Sequence, residues 1–204
     1  NVLIEDGVFF KVGGPGKPSD YPEGVMLGAK ISGGDDTVEA TMRRCIVRDF
    51  ATAAPSGYIQ GDNIMVEGGQ GPFLFEDVLV EGATDGGFDC KASNVTLRRV
   101  EARNNHTNFK LWGSGHGESV RSITPQPNPS GSGSPTCAFW FPSDLDQVWT
   151  FDELEFIGYH PKHIQNGGTG KITLNIKKCN IAAADMVIIG SGVTVNIEEV
   201  IPSV

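Results

Sequence analysis

Hydrophobic positions recur along this chain in one eight-place pattern: apolar, any, apolar, two charges of like sign, apolar, any, apolar. Phe73-Leu74-Phe75-Glu76-Asp77-Val78-Leu79-Val80 shows it most completely, and it can also be laid on 2–9, 40–47, 95–102, 149–156, 174–181 and 195–202, which makes seven copies. Successive side chains of a strand point to opposite faces, so places one and three share a face, as do places six and eight. Two outward residues in a row at places four and five do not fit one straight strand. The pattern therefore predicts two short strands meeting at a charged corner.

The paired charges, in order, are Glu5-Asp6, Arg43-Arg44, Glu76-Asp77, Arg98-Arg99, Asp152-Glu153, Lys177-Lys178 and Glu198-Glu199, and their sign alternates. Equivalent residues of stacked strands lie about 4.8 Å apart, so alternation is what seven consecutive layers of one stack need. A third strand is expected after each corner, at 87–91, 108–112, 163–166 and 186–189, with weaker versions around 58–60 and 25–27. Copies recur at about 22 residues where they are closest, the length of a bare coil. Three short strands per repeat describe an all-β fold, a right-handed parallel β-helix of about seven coils forming one domain over 1–204.

Excess residues in the longer repeats read as loops after coils one, two and four. The largest, 113–147, is expected to be a long inserted loop whose Phe139-Trp140-Phe141 end packs on something. Within it Gly113-Ser114-Gly115-His116-Gly117 reads as a loop exit, and further on His160-Pro161-Lys162-His163 reads as a turn. The first and last copies begin and stop in mid-repeat. A solenoid end exposes core and unpaired backbone, so the expectation is a longer parent chain or a partner chain covering the ends.

Composition narrows the class. The 27 glycines and 12 prolines fit many turns, and a net charge of -9 argues against a general nucleic-acid or anionic-membrane binder. No run approaches the roughly 18 apolar residues of a membrane span, and no charged-then-apolar leader opens the chain. Cys45 and Cys179 fall at place six and read as small core residues; no Cys or His spacing suggests zinc.

Candidate chemistry lies on the third strands. With Ile59, Phe88, Phe109 and Ile164 facing in, Gln60, Asp89, Lys110 and Gln165 face out, with Lys91 and Trp112 in the adjoining row. Asp89 and Lys110 would be neighbours on successive coils, an acid and a base on the floor of a groove. Trp112 offers a ring on which a sugar can stack, and Asp85, His106 and His116 lie in flanking turns. Paired carboxylates for glycoside hydrolysis have no alignable partners at Asp35-Asp36, Asp144 or Asp146. No Gly-x-Ser-x-Gly elbow is present.

The run Asp85-Gly86-Gly87-Phe88-Asp89-Cys90-Lys91, followed by Asn94-Val95-Thr96-Leu97 and Asn104-Asn105, resembles the β-helix superfamily of polysaccharide-active proteins, pectate lyases, polygalacturonases and alginate epimerases among them, and within it the family-nine pectate lyases. The resemblance implies a secreted or cell-surface lyase or epimerase acting by β-elimination on a uronic-acid polymer. It implies Ca²⁺ held by Asp85 and Asp89, with Lys91 or Lys110 removing the proton at C5. Trp112, Gln60, Gln165 and His106 would then contact the polysaccharide. The alternative is a non-catalytic carbohydrate-binding or structural β-helix, such as an adhesin, tail spike or surface protein. Asp85, Asp89, Lys91 and Lys110 gathered in space, with 113–147 beside them, would favour the enzyme.

Overall fold

The computed structural model describes residues 2–10, 24–27, 39–51, 61–68, 71–127 and 135–202. The fold is all-β, and the chain shuttles between two parallel sheets. β1 (Val2–Glu5) and β2 (Val8–Phe10) enter the larger sheet and β3 (Val25–Leu27) the smaller. β4 (Ala40–Arg48) and β5 (Ile64–Val66) follow in the same alternation, then β6 (Phe73–Glu81) and β7 (Gly86–Cys90). β8 (Val95–Arg98) and β9 (Val100–Arg103) return to the larger sheet, and β10 (Thr107–Leu111) to the smaller. β11 (Gly115–Ile123) and β12 (Cys137–Phe141), β13 (Gln147–Ile157) and β14 (Ile164–Asn166), and β15 (Ile172–Cys179) and β16 (Ile188–Ile189) repeat the circuit, and β17 (Val193–Val200) ends in the larger sheet. Among the described residues the larger sheet has ten strands, ordered β1-β4-β6-β8-β11-β13-β15-β17 with β2 and β9 alongside, and the smaller has seven, ordered β16-β14-β12-β10-β7-β5-β3. The described residues hold no helix long and apolar enough to cross a membrane.

Registers place equivalent residues of the pattern side by side: Ala40 pairs with Phe73, Phe73 with Val95, and Leu174 with Val195. The inward places fill one core between the sheets. Met42, Phe75 and Leu97 from the larger sheet and Ile64, Phe88 and Phe109 from the smaller have no exposed surface. Because the same place recurs in each layer, like side chains stack. The Phe88 and Phe109 rings are 5.4 Å apart and the Phe109 and Phe139 rings 4.7 Å apart, both nearly parallel, an offset arrangement that adds to the gain from burial.

The charged corner is present, with a local cause. Asp6, Arg44, Asp77 and Arg99, all at place five, have φ between 52° and 55°. A left-handed residue costs roughly 1 kcal/mol or more in a non-glycine, and it is what lets two successive side chains face outward. Both arms of the corner belong to the larger sheet, since ladder bonding runs through it in β4 and β6 and breaks between β1 and β2 and between β8 and β9. The ladder forms ion pairs between neighbouring layers. Arg44 grips Asp6 through bonds of 2.6 and 3.0 Å, Arg99 grips Asp77 through bonds of 2.6 and 2.8 Å, and Arg43 is bonded to Glu5. These guanidinium bonds hold the Glu5, Asp6, Glu76 and Asp77 carboxyls below the usual carboxylate range.

Two sequence expectations are corrected. First, 113–147 is not one inserted loop: β11 and β12 add a further circuit to it, paired to β8, β9 and β10 on one side and to β13 and β14 on the other. Its eight places read Gly115, His116, Gly117, Glu118, Ser119, Val120, Arg121 and Ser122, so three of the four inward places carry no hydrophobic side chain. The missing volume comes from the next layer, because a Cβ on Gly115 or Gly117 would come within 2.5 Å of the Trp149 or Phe151 ring. Charge alternation breaks there as well. Glu118 is bonded to Arg98 at 2.7 Å, and the pair after it, Asp152-Glu153, is again acidic, with Ser119 rather than a charge beside Glu153. Second, the smaller-sheet strand expected around 58–60 is β5, at Ile64–Val66; residues 58–60 lie outside the described ones.

Candidate functional site

Alternation on the smaller sheet decides what faces out. Phe88, Phe109 and Phe139 are in the core, so the residues after them, Asp89 on β7, Lys110 on β10 and Trp140 on β12, form an outward row in which Lys110 pairs with both neighbours. Met65 on β5 and Gln165 on β14 continue the row. Lys91 and Trp112 stand two residues further along the chain than Asp89 and Lys110.

Within this row Lys110 is the centre. Its Nζ lies 2.8 Å from Asp89 Oδ2, 3.0 Å from Asp85 Oδ2 and 3.7 Å from Asp62 Oδ1, and its side chain is 3% exposed. The ammonium also sits 5.7 Å from the centre of the Trp140 ring, a cation–π distance. Trp112 Nε1 donates to the other Asp89 oxygen at 2.8 Å, which fixes the indole against the cluster. Asp62 accepts a 2.7 Å bond from the Gly86 N–H. Only glycine fits at 86, since a Cβ would stand 2.6 Å from Asp62 Oδ1 and 2.9 Å from Lys110 Cδ. Burial pushes the Asp62 carboxyl up to about 8; Lys110 opposes the shift, and Asp85 and Asp89 add to it.

Beneath the cluster a chain of amides secures the corner between the sheets. Asn63 Nδ2 donates to Asn105 Oδ1 at 3.0 Å, Asn105 Nδ2 to Asn108 Oδ1 at 3.1 Å, and Asn108 Nδ2 to Ser122 Oγ at 2.8 Å. Each is buried, so each bond is needed. Asn104 beside them takes the left-handed φ of 55° that its turn requires.

Of the residues singled out in the sequence, Asp85, Asp89 and Lys110 come together. Lys91 stands at the rim, paired with Glu67 and 4.0 Å from Asp89 Oδ2. Trp112 is half-buried at the same rim. Gln165 is in the row and accepts a 2.9 Å bond from Lys162 Nζ. His106 is buried, with Nδ1 3.1 Å from both the Gln126 carbonyl and Thr136 Oγ1, so that nitrogen is engaged away from the row. His116 lies on the larger sheet, and Gln60 lies outside the described residues. Asp62 and Trp140 were not expected. The signal for Asp62 was the apolar run Ile64-Met65-Val66 in register with β7, and for Trp140 the alternation of Phe139-Trp140-Phe141 itself.

Asp85 and Asp89 do not fit Ca²⁺. Their oxygens already converge on an ammonium, both are almost wholly buried, and a calcium ion takes six to eight oxygens. Among the described residues no three His, Cys, Asp or Glu side chains gather in a metal-holding group. Lys110 likewise points its Nζ at carboxylates rather than outward, whereas a general base must reach the substrate's proton. Comparison of the chain with known protein families, with curated proteins and with solved structures finds no match.

Proposed function

We propose that the chain is a right-handed parallel β-helix of eight layers, secreted or displayed at a cell surface, that binds polysaccharide along the outer row of its smaller sheet without cleaving it. The observation that carries this reading is the state of Lys110. It is sealed at 3% exposure among carboxylates, while Trp112 and Trp140 beside it remain partly exposed. Indole faces are apolar platforms with a polar edge, suited to the face of a sugar ring. Gln165 and Lys91 supply hydrogen-bonding groups on the same surface, three layers apart and on either side of the tryptophans. In this account the Asp-Lys cluster is the rigid support that orients the Trp112 ring.

The uronate lyase or epimerase reading rests on the gathering of Asp85, Asp89, Lys91 and Lys110 on one face with β12 alongside. Affinity electrophoresis through polygalacturonate, alginate and a neutral glucan, with unsaturated-product absorbance followed with and without Ca²⁺, separates the two. Binding predicts retardation in at least one polymer, no absorbance, and retardation weakened about tenfold by Trp112→Ala, the loss of one stacked ring at roughly 1–1.5 kcal/mol. Product that disappears in Lys91→Ala or Lys110→Met would restore the lyase. Retardation by none of the polymers would leave a structural protein.

A further inference from the structure

The outer face of the larger sheet carries a second constellation, unconnected with the candidate site. His116 on β11, Thr150 on β13, Asn175 on β15 and Asn196 on β17 occupy place two of successive layers and pair in that order. His116, Thr150 and Asn175 line, with the core residue Phe151 and with Asp152 and Lys177, an open groove of about 300 Å³. Thr150 and Asn175 are exposed, so a ligand can reach them.

Contacts in this column fix who donates to whom. His116 Nε2 lies 3.5 Å from Asp152 Oδ2, and the Lys177 ammonium, 2.6 Å from Asp152 Oδ1, holds that carboxyl below its usual range. A carboxylate beside Nε2 favours the tautomer with the proton there, which makes Nδ1 the acceptor. Nδ1 is 2.8 Å from Thr150 Oγ1, so the hydroxyl gives its one proton to that bond and turns its lone pairs to the groove. On the other side of Thr150, Asn196 Nδ2 donates to Asn175 Oδ1 at 2.9 Å. This anchors the amide by its oxygen and leaves its Nδ2–H donors for the groove beside Thr150. A nucleophile with a base on one side and a fixed amide donor on the other is the arrangement acyl transfer requires.

We propose that Thr150, His116 and Asn175 form a hydrolytic site for small neutral acyl esters, with Asp152 as the residue that positions the imidazole. Thr150 Oγ1 adds to the ester carbonyl carbon while His116 Nδ1 takes the hydroxyl proton, and the carbonyl oxygen, now negative, accepts a bond from Asn175 Nδ2. The tetrahedral species collapses with cleavage of the ester C–O bond, and His116 returns the proton to the leaving alcohol. Water then adds to the acyl-threonine, again losing a proton to His116, and the carboxylic acid departs as Thr150 recovers its hydrogen. With Asp152 paired to Lys177, it is Glu198 at the groove's edge that disfavours acyl groups carrying a negative charge.

p-Nitrophenyl acetate is the probe, with nitrophenolate release and tryptic mass spectrometry as readouts on the full chain. The wild type is expected to turn over and to carry an acetyl group on Thr150. The isosteric Thr150→Val should lose the adduct and most of the turnover, Thr150→Ser should keep both, and His116→Ala and Asn175→Ala should each lower kcat by about a hundredfold. Asp152→Asn should lower kcat with KM unchanged, which a loss of surface structure would not do. All five changes are on the sheet surface, and a thermal unfolding curve for each verifies folding. Turnover no faster than free imidazole, turnover unchanged in Thr150→Val, or acetyl groups on Lys177 in place of Thr150 would overturn the proposal.

Discussion

Lys110 shows how one side chain sets the stability and the chemistry of its surroundings. Replacing it with methionine keeps the volume and removes the charge, leaving Asp85 and Asp89 buried around an apolar group. Such orphaned charges cost about 3–5 kcal/mol, and urea unfolding of Lys110→Met should show a loss of that size. Asp62 gives a different signature. Its carboxyl lies near 8 in the folded chain against an ordinary value of 3.8, so folding holds a proton that unfolding releases. That contribution is complete below about pH 4 and is lost as pH rises through about 8. Asp62→Asn keeps an acceptor for the Gly86 N–H and removes the titration. Its stability relative to wild type should therefore improve steadily from pH 5 to pH 9, and a constant difference would refute the assignment. Asp89 and Lys110 were legible in the sequence because alternation about Phe88 and Phe109 forces them outward together. Asp62 was not, since it precedes a strand of only three residues and reaches the cluster from a turn.

At the scale of the element, the fifth layer and the corners carry the lessons. β11 escaped the hydrophobic pattern because glycines stand where its neighbours have core side chains, and the space is filled by rings from β13. Gly117→Ala should destabilise by roughly 1–3 kcal/mol through overpacking. Combining it with Phe151→Leu, which withdraws the ring, should cost less than the sum of the single changes; strict additivity in a double-mutant cycle would mean that the two do not touch. At the corners, backbone and charge can be separated. Asp77 combines a left-handed φ of 53° with a bidentate bond from Arg99. Asp77→Asn keeps a residue type that tolerates this conformation and loses only the ion pair, so its effect should fade in 1 M salt, where screening acts within about 3 Å. Asp77→Val adds a β-branched side chain in a disfavoured region, and its larger loss should persist at any salt concentration. The corner itself was readable from two successive charges between apolar pairs, whereas the joining of both arms in a single sheet depends on hydrogen bonds that side-chain pattern does not encode.

At the scale of the molecule, repetition explains both why the layered stack could be read from the sequence and why its outer chemistry could not. Seven layers announce themselves because each must bury the same places, and a layer that borrows its core from a neighbour stays silent. A face-by-face reading also assigns outward residues without telling which are engaged. Asp85, Asp89 and Lys110 looked like an acid-base set, and in the folded chain they bind one another, leaving Trp112 and Trp140 as the accessible groups. The account therefore stands on the outer row of the smaller sheet being a binding surface whose lysine is structural. Its most direct test is a calorimetric titration of the wild type and of Trp112→Ala/Trp140→Ala with the polymer that retards the wild type, with product absorbance read on the same samples. The account predicts saturable binding that the double substitution abolishes, with no product in either sample. Unchanged binding by the doubly substituted protein, or product formed by the wild type, would contradict it.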